Sequence, residues 1–141
     1  MRSMSTLLKP KDTEVLSRNW LEAVEQLYGQ ISDWAQSQHW IVSYSDTEVA
    51  ENQFGAYTMP VMQLEVPEIP EGRLILEPQA VNAGGKGRIK MYATSTLYRV
   101  RLLNDLNNTN WTVLTDSGIP LHSPWGQDTF VTLAKDLLGA D

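Results

Sequence analysis

Residues that could carry out hydrolytic chemistry lie close together in the stretch 116–126. Asp116, Ser117 and His122 are the residue types of a serine hydrolase. Such a relay needs a hydroxyl within about 3 Å of a histidine that a third group orients. The GxSxG motif that presents a nucleophilic serine on a sharp turn is absent from the sequence. We therefore predict a turn in which Asp116 accepts hydrogen bonds from backbone amides, and we predict no catalytic residue.

The same stretch also contains apolar side chains that are unusual for a loop. Ile119, Leu121 and Trp125 surround His122 and follow Asp116. One hypothesis is a small-molecule-binding or hydrolytic pocket, formed between this loop and the sheet, with Asp116, His122 and Trp125 in it. The other is that Trp125 and Leu121 close one end of the hydrophobic core.

A glycine-rich segment at 83–88, AGGKGR, has amides and a lysine that could bind an anion. A P-loop requires GxxxxGK[ST] running into a helix. Here Lys86 is followed by Gly87 and then by an apparent strand. The segment therefore favours a hairpin tip over a phosphate site.

Metal and cofactor sites are not expected in this chain. It contains no cysteine and two histidines, His39 and His122, and it has no HExxH or EF-hand spacing. Thiolate metal centres and disulfides are excluded, and we predict no cofactor. His39 follows the first predicted helix, where its cationic form would favour the negative end of the helix dipole.

The charge distribution provides the strongest functional indication. The chain has a net charge of −6, yet six basic residues and a single acid lie between Gly72 and Asn104. Many of the acids stand upstream of this segment, in two groups near Glu48 and Glu68. These acids are either solvated loop charges that pair with arginines, or they leave a basic surface open to an anionic partner.

A long amphipathic helix is predicted at 12–37. Asp12 is a suitable N-cap, and an apolar residue then recurs every three or four positions from Leu16 through Trp20 to Trp34. At 1.5 Å per residue this helix is about 39 Å long, and Gly29 is its weakest point. Its apolar stripe predicts packing across a sheet.

Alternation of apolar and polar residues predicts a series of short strands after this helix. The predicted strands are Trp40–Tyr44, Met59–Val66, Arg73–Glu77, Gly87–Ala93, Thr96–Leu103 and Asn110–Thr115, with 46–55 as a loop. Pro60 limits the second to a sheet edge or a late start. The short connections between the later strands are typical of antiparallel hairpins.

A basic sheet face follows from the same alternation. Arg88, Lys90 and Tyr92 share one side of their strand. Arg99 and Arg101 share one side of the next, with Leu97 and Leu103, while Tyr98, Val100 and Leu102 lie on the other. If the turn at Thr94 pairs these strands, four cations and Tyr92 lie on one exposed face.

A short C-terminal helix completes the predicted fold. Gln127 or Asp128 can cap it, Phe130 and Leu137 belong to its apolar side, and Gly139 can end it in a left-handed conformation. The predicted fold class is α+β, with both helices on one face of an antiparallel meander of about five or six strands.

Length and composition favour a single globular domain, 1–141, with 1–11 as a flexible N-terminal tail. The 42% of hydrophobic residues is enough for a core. No stretch approaches 18 consecutive apolar residues, so we expect a cytoplasmic protein with no membrane partner.

These observations favour a non-enzymatic interaction module. We expect it to bind an acidic protein surface or another anion through Arg88, Lys90, Tyr92, Arg99 and Arg101. Nucleic acid is a weaker candidate, because only one aromatic residue lies among the cations and the whole chain is acidic. A homo-oligomer remains open.

Overall fold

The computed structural model of the chain describes residues 10–51, 55–81, 86–104, 110–115 and 124–139. Its elements are α1 (Pro10–Ser37), β1 (Ile41–Ala50), β2 (Ala56–Glu65), β3 (Arg73–Pro78), β4 (Gly87–Ala93), β5 (Arg99–Asn104), β6 (Thr112–Leu114) and α2 (Gln127–Leu137). The six strands form one sheet in chain order, and each pairs antiparallel with the next. The predicted α+β meander with two flanking helices is therefore confirmed.

Helix α1 buries its predicted apolar stripe against the inner face of the sheet. Trp20, Val24, Leu27 and Ile31 are all buried there, with spacings of three and four residues that place them on one side of a helix. The helix begins at Pro10, so the predicted N-cap at Asp12 is wrong and residues 10 and 11 of the predicted tail belong to the helix. Residues 1–9 of the predicted tail lie outside the described residues.

The end of α1 explains the position of His39. The Trp40 amide donates to the Ala35 carbonyl (2.9 Å) and the His39 amide donates to the Gln36 carbonyl (3.0 Å), which is the hydrogen-bond pattern of a Schellman motif. His39 has a φ of 64°, in the left-handed region that glycine usually occupies. Trp40 is buried immediately afterwards, so this turn directs the chain into β1.

Strands β1 and β2 form a longer hairpin than the sequence predicts. The predicted loop 46–55 is wrong over its first half, because Asp46 pairs with Pro60 and Ala50 with Ala56. Cross-strand pairing outweighs the low strand propensity of the polar residues in this segment. Pro60 also does not place β2 at the sheet edge, since β2 lies between β1 and β3.

The ladder between β2 and β3 stops where both strands carry a proline. Pairing ends at the pair Met62–Leu76. Pro60, two residues before Met62, and Pro78, two residues after Leu76, have no N–H to donate. The hydroxyl of Tyr28 fills this gap. It lies 2.9 Å from the Pro60 carbonyl oxygen and 3.1 Å from the Leu76 carbonyl oxygen. Helix α1 thus supplies one donor, shared by two carbonyl oxygens, where the prolines have none.

The interpretation of the upstream acids as solvated loop charges is wrong for Glu51. It is fully buried, and its Oε2 accepts hydrogen bonds from the Tyr57 hydroxyl and, at 2.8 Å, from the Val81 amide. The carboxylate therefore ties the tip of the β1–β2 hairpin to the segment after β3. Glu65 is a surface acid of the predicted kind, with Oε1 3.9 Å from Nε of Arg73.

The start of β4 packs closely against α1. A Cβ at Gly87 would overlap the ring of Trp20, whose Nε1 donates to the Gln79 carbonyl at 3.0 Å. Glycine at this position lets the indole lie directly on the strand backbone. This contact holds the N-terminal half of α1 against the start of β4.

Helix α2 lies beside α1 and closes one end of the core. Phe130 is buried, with its ring centroid 5.8 Å from that of Trp34 and 6.0 Å from that of Trp40. The predicted cap at Gln127 or Asp128 is wrong, since Gly126 occupies the N-cap position without a side-chain hydrogen bond. Gly139 has a φ of 84°, as predicted for the residue that ends this helix.

Candidate functional site

The five residues of the predicted basic face lie on the side of the sheet that is turned away from the helices. On β4, Ile89, Met91 and Ala93 are buried in the core, which leaves Arg88, Lys90 and Tyr92 on the other side. On β5 the buried residues are Val100 and Leu102, which leaves Arg99, Arg101 and Leu103. We call this side of β3, β4 and β5 the open face.

The register between β4 and β5 brings these residues together. Lys90 is directly opposite Arg101, and Tyr92 is directly opposite Arg99. Arg88 pairs with Leu103 and is therefore a diagonal neighbour of Arg101, at a spacing of about 7–8 Å. Like charges that face each other across a ladder destabilise it, so this arrangement is not explained by stability of the sheet.

Lys90 has both an acidic and an aromatic neighbour. Its Nζ lies 3.8 Å from Oε1 of Glu77 on β3, and 5.0 Å from the ring centroid of Tyr92. Burial raises the pKa of the Tyr92 hydroxyl, and the negative charge of Glu77 raises this pKa further. Tyr92 therefore presents a neutral ring and a hydroxyl donor among the cations at physiological pH.

Arg88 and Arg101 differ from Lys90 in this respect. In the part of the chain that the structure describes, neither guanidinium has a carboxylate oxygen within 4.0 Å. Both side chains are exposed, and together with Gln79, Leu103 and Leu114 they line a surface cavity of about 400 Å³. We call Arg88 and Arg101 the arginine pair.

Arg99 connects two further cavities of the open face. It lines one of about 190 Å³ with Lys90, Arg101 and Thr115, and one of about 410 Å³ with Tyr92, Leu97 and Tyr98. Arg99 also interacts with another part of the protein, so it is a less suitable anion ligand than the arginine pair. Adjacent cavities share Arg99, Lys90 or Arg101, which makes them one continuous surface.

Tyr98 departs from the predicted strand faces. Strand β5 begins at Arg99 rather than at Thr96, so Tyr98 belongs to the preceding turn and is 62% exposed. The prediction that it shares a strand face with Val100 and Leu102 is therefore wrong, since those two residues are buried. Alternation within a sequence locates the faces of a strand but does not show where the turn ends.

The alternative pocket cannot be assembled from the described residues. Asp116 and His122 lie outside them. Trp125 is half-buried between the helices, with its ring centroid 5.6 Å from that of Trp34 and 6.0 Å from that of Phe130. This packing places Trp125 at the end of the core, as in the second hypothesis for this loop, while Leu121 lies outside the described residues.

The glycine-rich segment and the histidines provide no further site in the described structure. Residues 82–85 lie outside it, and Gly87 begins a strand rather than the helix that a P-loop requires. Across the described ranges there is no cluster of three metal-ligating side chains. Among those same residues no helix is long and apolar enough to cross a membrane.

Comparisons of the chain with protein-family models, with curated proteins and with solved structures found no match. The residues of the open face are therefore the basis for a functional inference. Sequence reasoning placed Leu97 on this face but missed Gln79 and Tyr98, which line the same cavities. The position of Gln79 just after a predicted strand was the only available signal for it.

Proposed function

We propose that this domain is a non-enzymatic interaction module that binds an acidic protein surface or another anion through the open face. The observation that carries the proposal is the arginine pair. Arg88 and Arg101 are diagonal neighbours on a regular sheet, line one cavity, and have no carboxylate partner in the described structure. Two guanidinium groups held in this way can bind carboxylates or phosphates with paired hydrogen bonds.

The surroundings of the arginine pair favour such binding. The backbone of Arg88 is held on both sides, because Arg88 pairs with Leu103 on β5 and its carbonyl accepts a hydrogen bond from the Gln79 amide at 2.8 Å. This reduces the entropy that the backbone loses on binding. Gln79 adds amide donors and acceptors to the same cavity, and Leu103 and Leu114 contribute apolar surface. A mixed surface of this kind is typical of a protein–protein contact.

The acidic remainder of the chain supports specificity for this face. The net charge of the whole chain is −6, so an acidic partner is repelled by most of the surface and attracted by the open face. Charge complementarity of this kind orients an encounter and suppresses contacts at other places. Because these charges are exposed, we expect binding to weaken as salt is added.

A fluorescent hexaglutamate peptide provides a defined probe. Its affinity is measured by fluorescence anisotropy at low ionic strength, with a hexaglutamine peptide as the neutral comparison. The test variant is R88E/R101E, and the matched control is R18E/K135E, which makes the same change in net charge at two exposed positions on the helices. We expect at least tenfold weaker binding for the test variant and less than threefold for the control.

Two results would contradict the proposal. One is that the wild-type protein binds hexaglutamate no better than hexaglutamine. The other is that the two charge-reversed variants lose affinity equally, since the effect would then come from net charge alone. Circular dichroism of both variants ensures that only folded proteins are compared.

A further inference from the structure

The turn between β4 and β5 exposes two large apolar side chains beside the basic residues. Leu97 is 95% exposed and Tyr98 is 62% exposed. A single exposed leucine is common on protein surfaces. Here two adjacent exposed side chains border a cavity that is also lined by Tyr92, Lys90 and Arg99, so apolar side chains lie directly beside cations.

Hydrogen bonds hold this turn against two other elements. The Thr96 hydroxyl donates to the Leu137 carbonyl at 2.6 Å, at the end of α2. The Thr94 amide donates to the Arg73 carbonyl at 2.9 Å, and the Arg73 amide donates to the Thr94 hydroxyl oxygen at 2.9 Å. Leu97 and Tyr98 are therefore presented by a fixed backbone, as expected for a preorganised contact surface.

The apolar groove and the arginine pair are parts of one surface. We define the apolar groove as the cavity of about 410 Å³ lined by Tyr92, Leu97 and Tyr98, together with Lys90 and Arg99. Arg99 and Lys90 also line the next cavity, which reaches Arg101. Tyr98 precedes Arg101 by three positions, which corresponds to about 10 Å along an extended chain.

We propose that the open face binds an extended acidic protein segment that carries an aromatic or large aliphatic side chain about three residues from its carboxylates. The carboxylates pair with Arg88 and Arg101, and the apolar side chain enters the apolar groove. This inference rests on the proposed function and specifies the class of partner. Burial of the apolar side chain adds the affinity that exposed charges alone do not supply.

The chemistry of the groove favours a protein segment over a nucleic acid. Leucine and tyrosine side chains at a turn bind an aliphatic or aromatic residue equally well, whereas a single strand needs a series of aromatic platforms along a basic groove. Tyr92 and Tyr98 are the aromatic residues that border these cavities in the described structure.

Three labelled peptides test this inference by fluorescence anisotropy. The first has four glutamates and neutral Ser/Gly residues, the second adds a phenylalanine three residues from the glutamates, and the third places that phenylalanine directly beside them. We expect the second peptide to bind at least tenfold more tightly than the first, as burial of one aromatic side chain predicts. The third should show less than half of this gain on a logarithmic scale.

Two variants assign the gain to the groove. L97S/Y98S changes exposed side chains only, and I41S is the matched control, because Ile41 is an exposed apolar residue at the far edge of the sheet. We expect L97S/Y98S to lose the advantage of the second peptide and to bind the first peptide as the wild type does. I41S should leave both affinities unchanged.

The possible failures are distinguishable. If the first two peptides bind equally well, and both depend on the arginine pair, the inference is wrong and the proposed function stands. If neither peptide binds, both are wrong. Tighter binding of a single-stranded RNA than of the second peptide, with loss in R88E/R101E, would replace the acidic segment by a nucleic acid and so overturn the inference.

Discussion

Arg101 lies directly opposite Lys90 across the ladder between β4 and β5. Two cations in this position repel each other, and an opposite charge there would stabilise the sheet by roughly 0.2–1 kcal/mol. We therefore predict that R101E raises the free energy of unfolding by a few tenths of a kcal/mol and weakens binding of acidic peptides. Urea denaturation and peptide titration on the same sample measure the two effects.

The matched comparison for this prediction is R73E. Arg73 lies near Glu65, 3.9 Å away, so the same reversal there loses a favourable pair and should lower stability slightly. A loss of stability in R101E equal to that in R73E would show that Arg101 has a structural role in the sheet. Binding would then not be the reason for a cation at this position.

The buried carboxylate of Glu51 should be important for stability. In E51A the buried Val81 amide and the half-buried Tyr57 hydroxyl lose their acceptor. An unsatisfied buried donor costs about 1–3 kcal/mol, and a half-buried one costs less. We predict that E51A lowers the free energy of unfolding by about 2–4 kcal/mol in urea denaturation. E51Q keeps an acceptor oxygen and should cost less.

The control for Glu51 is E48A, because Glu48 is an exposed acid in the same hairpin. Its effect should stay within about 0.5 kcal/mol of wild type. If E51A changed the free energy of unfolding as little as E48A does, the hairpin tip would not depend on the Glu51 carboxylate.

Stability should fall at alkaline pH because of Tyr28. Burial raises the pKa of this hydroxyl far above its ordinary value of about 10. The folded state therefore keeps a proton that the unfolded state loses, so the contribution is complete below pH 10 and decreases above it. Tyr28 alone contributes a slope of at most about 1.4 kcal/mol per pH unit, and Tyr57, whose pKa is also raised by burial, adds to the slope of the whole protein.

Y28F identifies the source of this pH dependence. The variant loses the hydrogen bonds to the Pro60 and Leu76 carbonyls and should be less stable at pH 8 by about 1–3 kcal/mol. Its stability should then depend less steeply on pH between 10 and 11.5. Parallel curves for wild type and Y28F would exclude Tyr28 as the group that titrates.

The contact between Gly87 and Trp20 predicts opposite effects for two glycine-to-alanine substitutions. G87A forces the indole of Trp20 to move and should cost about 1–3 kcal/mol. Gly29 on α1 has open space around an added Cβ, so G29A should stabilise the helix by about 0.5–1 kcal/mol. Thermal denaturation of both variants gives the signs, and stabilisation by G87A would contradict this packing.

The sequence predicted most of the architecture because periodicity reports burial. The stripe containing Trp20, Val24 and Ile31 faces the core as expected, and alternation along β4 placed Arg88 and Lys90 on the open face. These patterns arise from the geometry of a helix and a strand, so they can be recognised without knowledge of tertiary contacts.

Other features depend on contacts between distant segments and could not be predicted. Glu51 is polar and stands near turn residues, so its burial becomes evident only when Val81 approaches, 30 positions further along the chain. The end of the β2–β3 ladder near Pro60 and Pro78 likewise becomes evident only once the register of these two strands is known. In the site, sequence reasoning could not distinguish Lys90, which has Glu77 beside it, from Arg88, which has no such neighbour in the described structure.

The most direct test of the central claim is an NMR titration of the labelled protein with hexaglutamate, in which backbone amides and arginine Nε–H groups are followed together. We expect saturable shifts of the Nε–H signals of Arg88 and Arg101, with amide shifts confined to β4, β5 and neighbouring Gln79. Shifts that leave both arginine signals unchanged, or that centre on Trp125, would contradict it.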